Sequence, residues 1–178
     1  PLLRGRLRNI AGGGPAMATT VAALPAPKDV CALLSMLFGS DVTSAPGAPV
    51  PVTLNDPAVV AVYVDQKLTM HAVVILDIAL AAACGAALGL LPPHTAELAA
   101  TSKALPDALG ENASEVLNVM TPLLTVPDAP QFRLYRSYQP GERLPADVAS
   151  LASMFGRRLD LTLSMGAYGR GAMSVVLD

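Results

Sequence analysis

From Val73 to Leu91 the sequence carries a single charged side chain, Asp77. A run this long and apolar has the length of a membrane-crossing helix, but its composition does not suit one. An aspartate near a helix centre costs about 2.5–3.5 kcal/mol on insertion scales, alanine and glycine supply little transfer energy, and no Lys/Arg cluster flanks the run. It reads better as two buried elements. A strand ends near Leu76, and an Ala-rich helix begins at Asp77, whose carboxylate suits the N-cap because it can accept from a free backbone N–H.

The neighbouring segments supply the cover such a pair needs. Val59–Val64 and Leu68–Leu76 are β-branched, apolar runs around Asp65-Gln66-Lys67, the pattern of a central hairpin. The Ala-rich helix runs to Leu90, is stopped by Pro92-Pro93, and lines one face with Ala79, Ala82, Ala83, Ala86 and Ala87. Val30, Leu33, Leu34, Leu37 and Phe38 repeat at helical spacing and predict a helix over Lys28–Phe38, ended by Gly39. Pro46, Pro49 and Pro51 limit 41–54 to an edge strand or extended arm. A short helix is expected over Thr95–Ser102. A long one is expected over Pro106–Leu124, since proline suits a first helical turn. Strands are expected at Phe132–Tyr138, Leu159–Met165 and Ala172–Leu177, with a short helix over Ala146–Phe155. Gly166, Gly169 and Gly171 make the last connection a hairpin. The order predicts an α+β fold, a mainly antiparallel sheet with two long central helices packed on one face. Strands and helices do not alternate as βαβ, and neither GxGxxG nor GxxxxGK[ST] occurs, which disfavours a doubly wound nucleotide-binding fold.

Composition narrows the function classes. With 178 residues, 52% hydrophobic and 15% charged, the chain is long and apolar enough to bury a core and is not a disordered chain. Twelve Lys+Arg against 14 Asp+Glu argue against a general nucleic-acid binder. Cys31, Cys84, His71 and His94 lack zinc-site spacing, and a reduced, cytoplasmic protein is the simplest expectation. Met17 follows Gly12-Gly13-Gly14-Pro15-Ala16 and reads as a natural start. Residues 1–16 then read as a tag or linker, and Arg4, Arg6 and Arg8 precede no apolar signal-peptide core. Residues 1–27 are expected to be remnant and loose, and 28–178 a single domain.

The stretch Leu109-Gly110-Glu111-Asn112-Ala113-Ser114-Glu115-Val116-Leu117-Asn118 stands out. On a helix, Glu111, Glu115 and Asn118 share one face, opposite the stripe of Leu109, Ala113, Val116, Leu117 and Met120. By periodicity alone this is also what a solvated helix face looks like. The stretch, placed after a hydrophobic hairpin and an Ala-rich helix, resembles the CheC/CheX/FliY family of chemotaxis phosphatases, whose signature is [D/S]-x3-E-x2-N on a long helix. Glu115-Val116-Leu117-Asn118 matches E-x2-N, while Glu111 stands where the family has Asp or Ser. Pro122 stands where the family often has Gly, and it deprives the Asn118 carbonyl of its helical donor.

The resemblance implies a CheC-like fold and a reaction on a partner, the phospho-aspartate of a response-regulator receiver domain. Asn118 would orient the attacking water and Glu115 would pair with the receiver's lysine, as catalytic residues. Glu111 and Ser114 would contact the partner. The Mg²⁺ would belong to the receiver, so no cofactor of its own is expected. CheC-type members often carry two such motifs; here Asn9, Asn55 and Asn112 have no Glu three residues before them, so one site is expected, as in CheX. Two alternatives stay open: a non-catalytic CheC-like interaction module in bacterial signalling, and a homodimer built on the Ala-rich helix and the Pro-rich arm.

Other residues read as structural. His71 suits a packed strand position, His94 a loop, and Cys84 inert packing; Ser114 has no His or Lys base at helical spacing. Arg133, Arg136, Arg157 and Arg158 suit either an acidic partner or a solvated strand edge.

Overall fold

A computed structural model describes residues 22–127, 129 and 131–178. The expectations for residues 1–21, including a start at Met17, fall outside this range. Its elements are α1 (Pro27–Phe38), β1 (Thr43–Pro46), β2 (Ala58–Val64), β3 (Met70–Asp77), α2 (Ile78–Leu88), α3 (Pro93–Ser102), α4 (Asp107–Val119), β4 (Arg133–Tyr138), α5 (Ala146–Ala152), β5 (Arg158–Ser164) and β6 (Arg170–Leu177).

The six strands form one antiparallel sheet in the order β1-β5-β6-β3-β2-β4. Every residue of β2 is buried. That requires cover on both faces and explains why β2 and β3 read as continuous apolar runs rather than alternating ones. Val59, Ala61, Tyr63, Val74 and Leu76 point to the side packed by α1, α2 and α4. Val60, Val62, Val73 and Ile75 point to the other side, covered by α5 and the arm around Val50. The two long helices thus share one face, as expected, and the short α5 closes the opposite one.

The sheet order is built from a repeated unit. Helix, edge strand and hairpin occur first as α1-β1-β2-β3 and again as α4-β4-β5-β6, with α5 inserted. The hairpins meet at β3 and β6, and each edge strand pairs with the hairpin of the other half. Two halves that exchange edge strands cannot fold apart, so α4 is locked to the first half through β4 on β2.

The apolar run splits where the sequence places the boundary. Asp77 ends β3 and caps α2, accepting from the Leu80 N–H at 2.8 Å. Burial raises the Asp77 pKa, against the donors of Leu80 and Ala172. Among the described residues no helix is long and apolar enough to cross a membrane. α2 is buried along most of its length, by the sheet, by α4 and by α3 through Ala82, Ala86, Ala96 and Ala99, with Ala79 and Leu88 half-buried. This corrects the expectation of an intermolecular Ala-rich interface, since the small side chains are used inside the chain. Gly85 lies so close to α4 that a Cβ there would collide with the Leu109 backbone.

Several boundaries differ from expectation; α5, for instance, ends at Ala152 rather than Phe155. The helix expected over Pro106–Leu124 ends at Val119 and is followed by a 3₁₀ turn, Thr121–Leu124. Pro122 is the cause, because it has no N–H for the Asn118 carbonyl. His94 lies in the first turn of α3, exposed, rather than in a loop. Of the segment expected to be loose, Ala22 is buried, its carbonyl accepting from Arg157 Nη2 at 2.6 Å, and the Ala23 N–H donates to Leu124.

Candidate functional site

α4 carries the sequence-predicted residues, and its two faces have different chemistry. Leu109, Gly110, Ala113, Val116 and Leu117 are buried against α2 and the sheet. Glu111, Glu115 and Asn118 are exposed on the other side. The spacing i, i+4, i+7 therefore produces the shared face that the sequence predicts.

Polar residues on this helix fall into two groups. The Asn112 amide donates to the Gly85 carbonyl at 3.0 Å, tying α4 to α2. Ser114 Oγ donates to the Gly110 carbonyl at 2.9 Å, lies 2.6 Å from Ser137 Oγ, and accepts from Gln139 Nε2 at 3.2 Å. A hydroxyl has one proton and two lone pairs, so Ser114 has nothing left for a partner. Its expected role in partner contact is corrected to an internal one. The side chains of Glu111, Glu115 and Asn118 make no hydrogen bond among the described residues.

The C-terminal end of α4 is closed by side chains rather than by further helix. Tyr63 Oη donates to the Leu117 carbonyl at 2.7 Å, and Thr121 Oγ1 donates to the Asn118 carbonyl at 2.7 Å. Thr121 supplies the donor that Pro122 lacks. Carbonyls at a helix C-terminus carry partial negative charge and repel an approaching anion. Hydroxyl donors on two of them reduce that repulsion beside Asn118. Burial raises the Tyr63 pKa, so its hydroxyl stays a donor.

Asp107, Glu111, Asn112, Ser114, Glu115, Ser137 and Gln139 line an open concavity of about 580 Å³ between α4 and the end of β4. No group of three or more His, Cys, Asp and Glu side chains able to hold a metal occurs among the described residues.

The repeated unit allows a check for a second site. α1, Pro27–Phe38, contains no Glu and no Asn. Its Ser35 Oγ is occupied by the Val42 N–H at 2.8 Å.

The remaining sequence candidates are structural. His71 lies 3.1 Å from Asp65 and its ring is 5.0 Å from that of Phe132. Cys84 is buried, its thiol pushed up to about 12 by burial and the nearby Asp77 charge. Arg136 lies over the Tyr138 ring and pairs with Glu142, Arg158 pairs with Asp160, and Arg157 donates to backbone carbonyls. The four arginines do not make one basic patch. Sequence reasoning missed Tyr63, Thr121, Ser137 and Gln139. Only Thr121, next to Pro122, carries a local signal.

No family model matches the chain, and no curated protein matches it. Solved structures do. FliM in the FliM–SpeE complex from H. pylori superposes with a TM-score of 0.58 at 11% identity, over 85% of this chain and 80% of that one. The FliM middle domain from H. pylori gives 0.57 at 10% identity, over 85% and 84%. CheX in the CheX–CheY–BeF3–Mg²⁺ complex from Borrelia burgdorferi gives 0.48 at 11% identity, over 83% and 92%. The chain shares the fold of the FliM middle domain, and that fold is α+β with a mainly antiparallel sheet, as the sequence predicts.

Proposed function

We propose that the exposed face of α4 is a CheX-type phosphatase site acting on the phospho-aspartate of a receiver domain. One contrast carries this reading. On a single helix, Asn112 and Ser114 are consumed by internal hydrogen bonds, whereas Glu115 and Asn118 stand exposed without partners among the described residues. Two side chains of the right chemistry, one turn apart and uncommitted, are what an α-helix needs to reach into another protein's site.

The chemistry asked of them is modest. The Asn118 amide oxygen accepts from a water O–H and holds that water in line with the phosphorus. The bond from water oxygen to phosphorus forms as the bond to the aspartate oxygen breaks, releasing inorganic phosphate and restoring the carboxylate. Glu115 pairs with the receiver's lysine and sets the docking register. Phosphoryl transfer depends mainly on positioning and charge stabilisation, and an amide needs no pKa tuning for that task. The Mg²⁺ in this scheme belongs to the receiver.

The test is phosphate loss from a phosphorylated receiver domain of the same organism, in Mg²⁺, with wild type and Asn118→Ala. Wild type accelerates the loss and Asn118→Ala does not, with an unchanged melting temperature. The likeness to FliM solved with SpeE favours a second reading, a docking domain without turnover. In that case wild type binds a partner through α4 and leaves the phosphorylated lifetime unchanged.

A further inference from the structure

We infer that Ser137 and Gln139, at the end of edge strand β4, are positioning residues that set the rotation of α4 and so the aim of Glu115 and Asn118. The inference rests on the α4 phosphatase reading above and extends the site to a second element. On its buried side α4 is packed on α2 and the sheet by Leu109, Val116 and Leu117, and Asn112 donates to the Gly85 carbonyl. These contacts lie on the side away from the exposed Glu115 and Asn118.

The polar side supplies a second constraint, from β4. Ser114 Oγ accepts from Gln139 Nε2, shares a hydrogen bond with Ser137 Oγ, and donates to the Gly110 carbonyl. A Cβ at Gly110 would collide with the Gln139 side chain, so Gln139 lies directly on bare helix backbone. Ser114 precedes Glu115 in sequence and lies one turn from both Glu111 and Asn118. Hydrogen bonds are directional where apolar contacts are not. With side chains ending about 5–6 Å from the helix axis, a roll of roughly 10° moves a side-chain end by about 1 Å. A displacement of about 1 Å can cost about a hundred-fold in rate. Ser114, Ser137 and Gln139 are half-buried at the rim of the acidic concavity. A docked partner would remove water from them, and their hydrogen bonds strengthen as the local dielectric falls.

The experiment uses the full chain with Ser137→Ala, Gln139→Ala and Ser137→Thr, read by receiver dephosphorylation and by hydrogen exchange of the α4 amides. The alanine variants lower kcat about ten-fold or more, with KM and melting temperature unchanged. Ser137→Thr restores the rate, and exchange over residues 111–118 rises while β2 and β3 stay protected. Unchanged kcat in both alanine variants overturns the inference, as does a loss of kcat that tracks a fall in melting temperature and is not rescued by Ser137→Thr. If wild type shows no phosphatase activity, the reaction assignment fails on its own. The positioning role then stands or falls on whether α4 exchange responds to the two alanine variants.

Discussion

The hydroxyl of Tyr63, at the buried end of β2, donates to the carbonyl of Leu117 in the last turns of α4 at 2.7 Å. This bond joins the centre of the sheet to the helix that carries Glu115 and Asn118. Leu117 is among the last residues of α4, where carbonyls have no helical N–H to accept from. The sheet thus caps α4, and Thr121 completes the cap one carbonyl further on.

Tyr63→Phe tests that cap. The ring keeps its packing, while the Leu117 carbonyl is left buried without this donor. The expected loss is about 1–3 kcal/mol of stability, the range for an unsatisfied buried polar group. Denaturant unfolding measures it, and hydrogen exchange should localise the loosening to the end of α4.

Gly85→Ala reverses the usual rule. Inside a helix, alanine is normally favoured over glycine by about 1 kcal/mol. Here the added Cβ would meet the Leu109 backbone, which cannot move aside like a flexible side chain. Overpacking of this kind costs about 1–3 kcal/mol. Gly85→Ala is therefore expected to lower the melting temperature, and a gain would contradict the close α2–α4 crossing.

Asp160 gives the chain a defined acid sensitivity. Burial opposes its ionisation, but hydrogen bonds from Arg158 and Ser174, with the Arg158 charge, outweigh it and hold the carboxyl below the usual range. Its folded pKa is thus lower than its unfolded one. The stabilisation is present above the unfolded value, about 3.9, and is lost as pH falls through the folded value. Asp160→Asn is expected to be less stable than wild type at neutral pH, with a gap that narrows below about pH 4. Unfolding midpoints from pH 7 down to pH 2 check this; a gap that is constant with pH would rule it out.

Much of the fold was legible locally. The Asp77 boundary was visible because an apolar strand, a carboxylate cap and an Ala-rich helix follow one another without a loop. The exposed triplet Glu111, Glu115 and Asn118 was visible because helical spacing alone decides which residues share a face. What escaped depends on distant pairing. Nothing near β1 or β4 indicates that each edge strand joins the other half's hairpin. The Ala face of α2 suggested a second copy of the chain because its cover, α3 and α4, lies outside the helix itself. Ser114 looked free for a partner because its own partners are 23 and 25 residues away. Pro122 correctly signalled a break after Asn118, while the repair by Thr121 and Tyr63 needed coordinates.

The central claim is that Asn118 acts in turnover and Glu115 in docking. Steady-state dephosphorylation of a phosphorylated receiver domain by wild type, Asn118→Ala and Glu115→Ala separates these roles. Asn118→Ala should lower kcat about a hundred-fold or more at similar KM, as expected when a water-orienting group is lost. Glu115→Ala should chiefly raise KM. If wild type leaves the phosphorylated receiver's lifetime unchanged, or if Asn118→Ala is as active as wild type, α4 is not a phosphatase site.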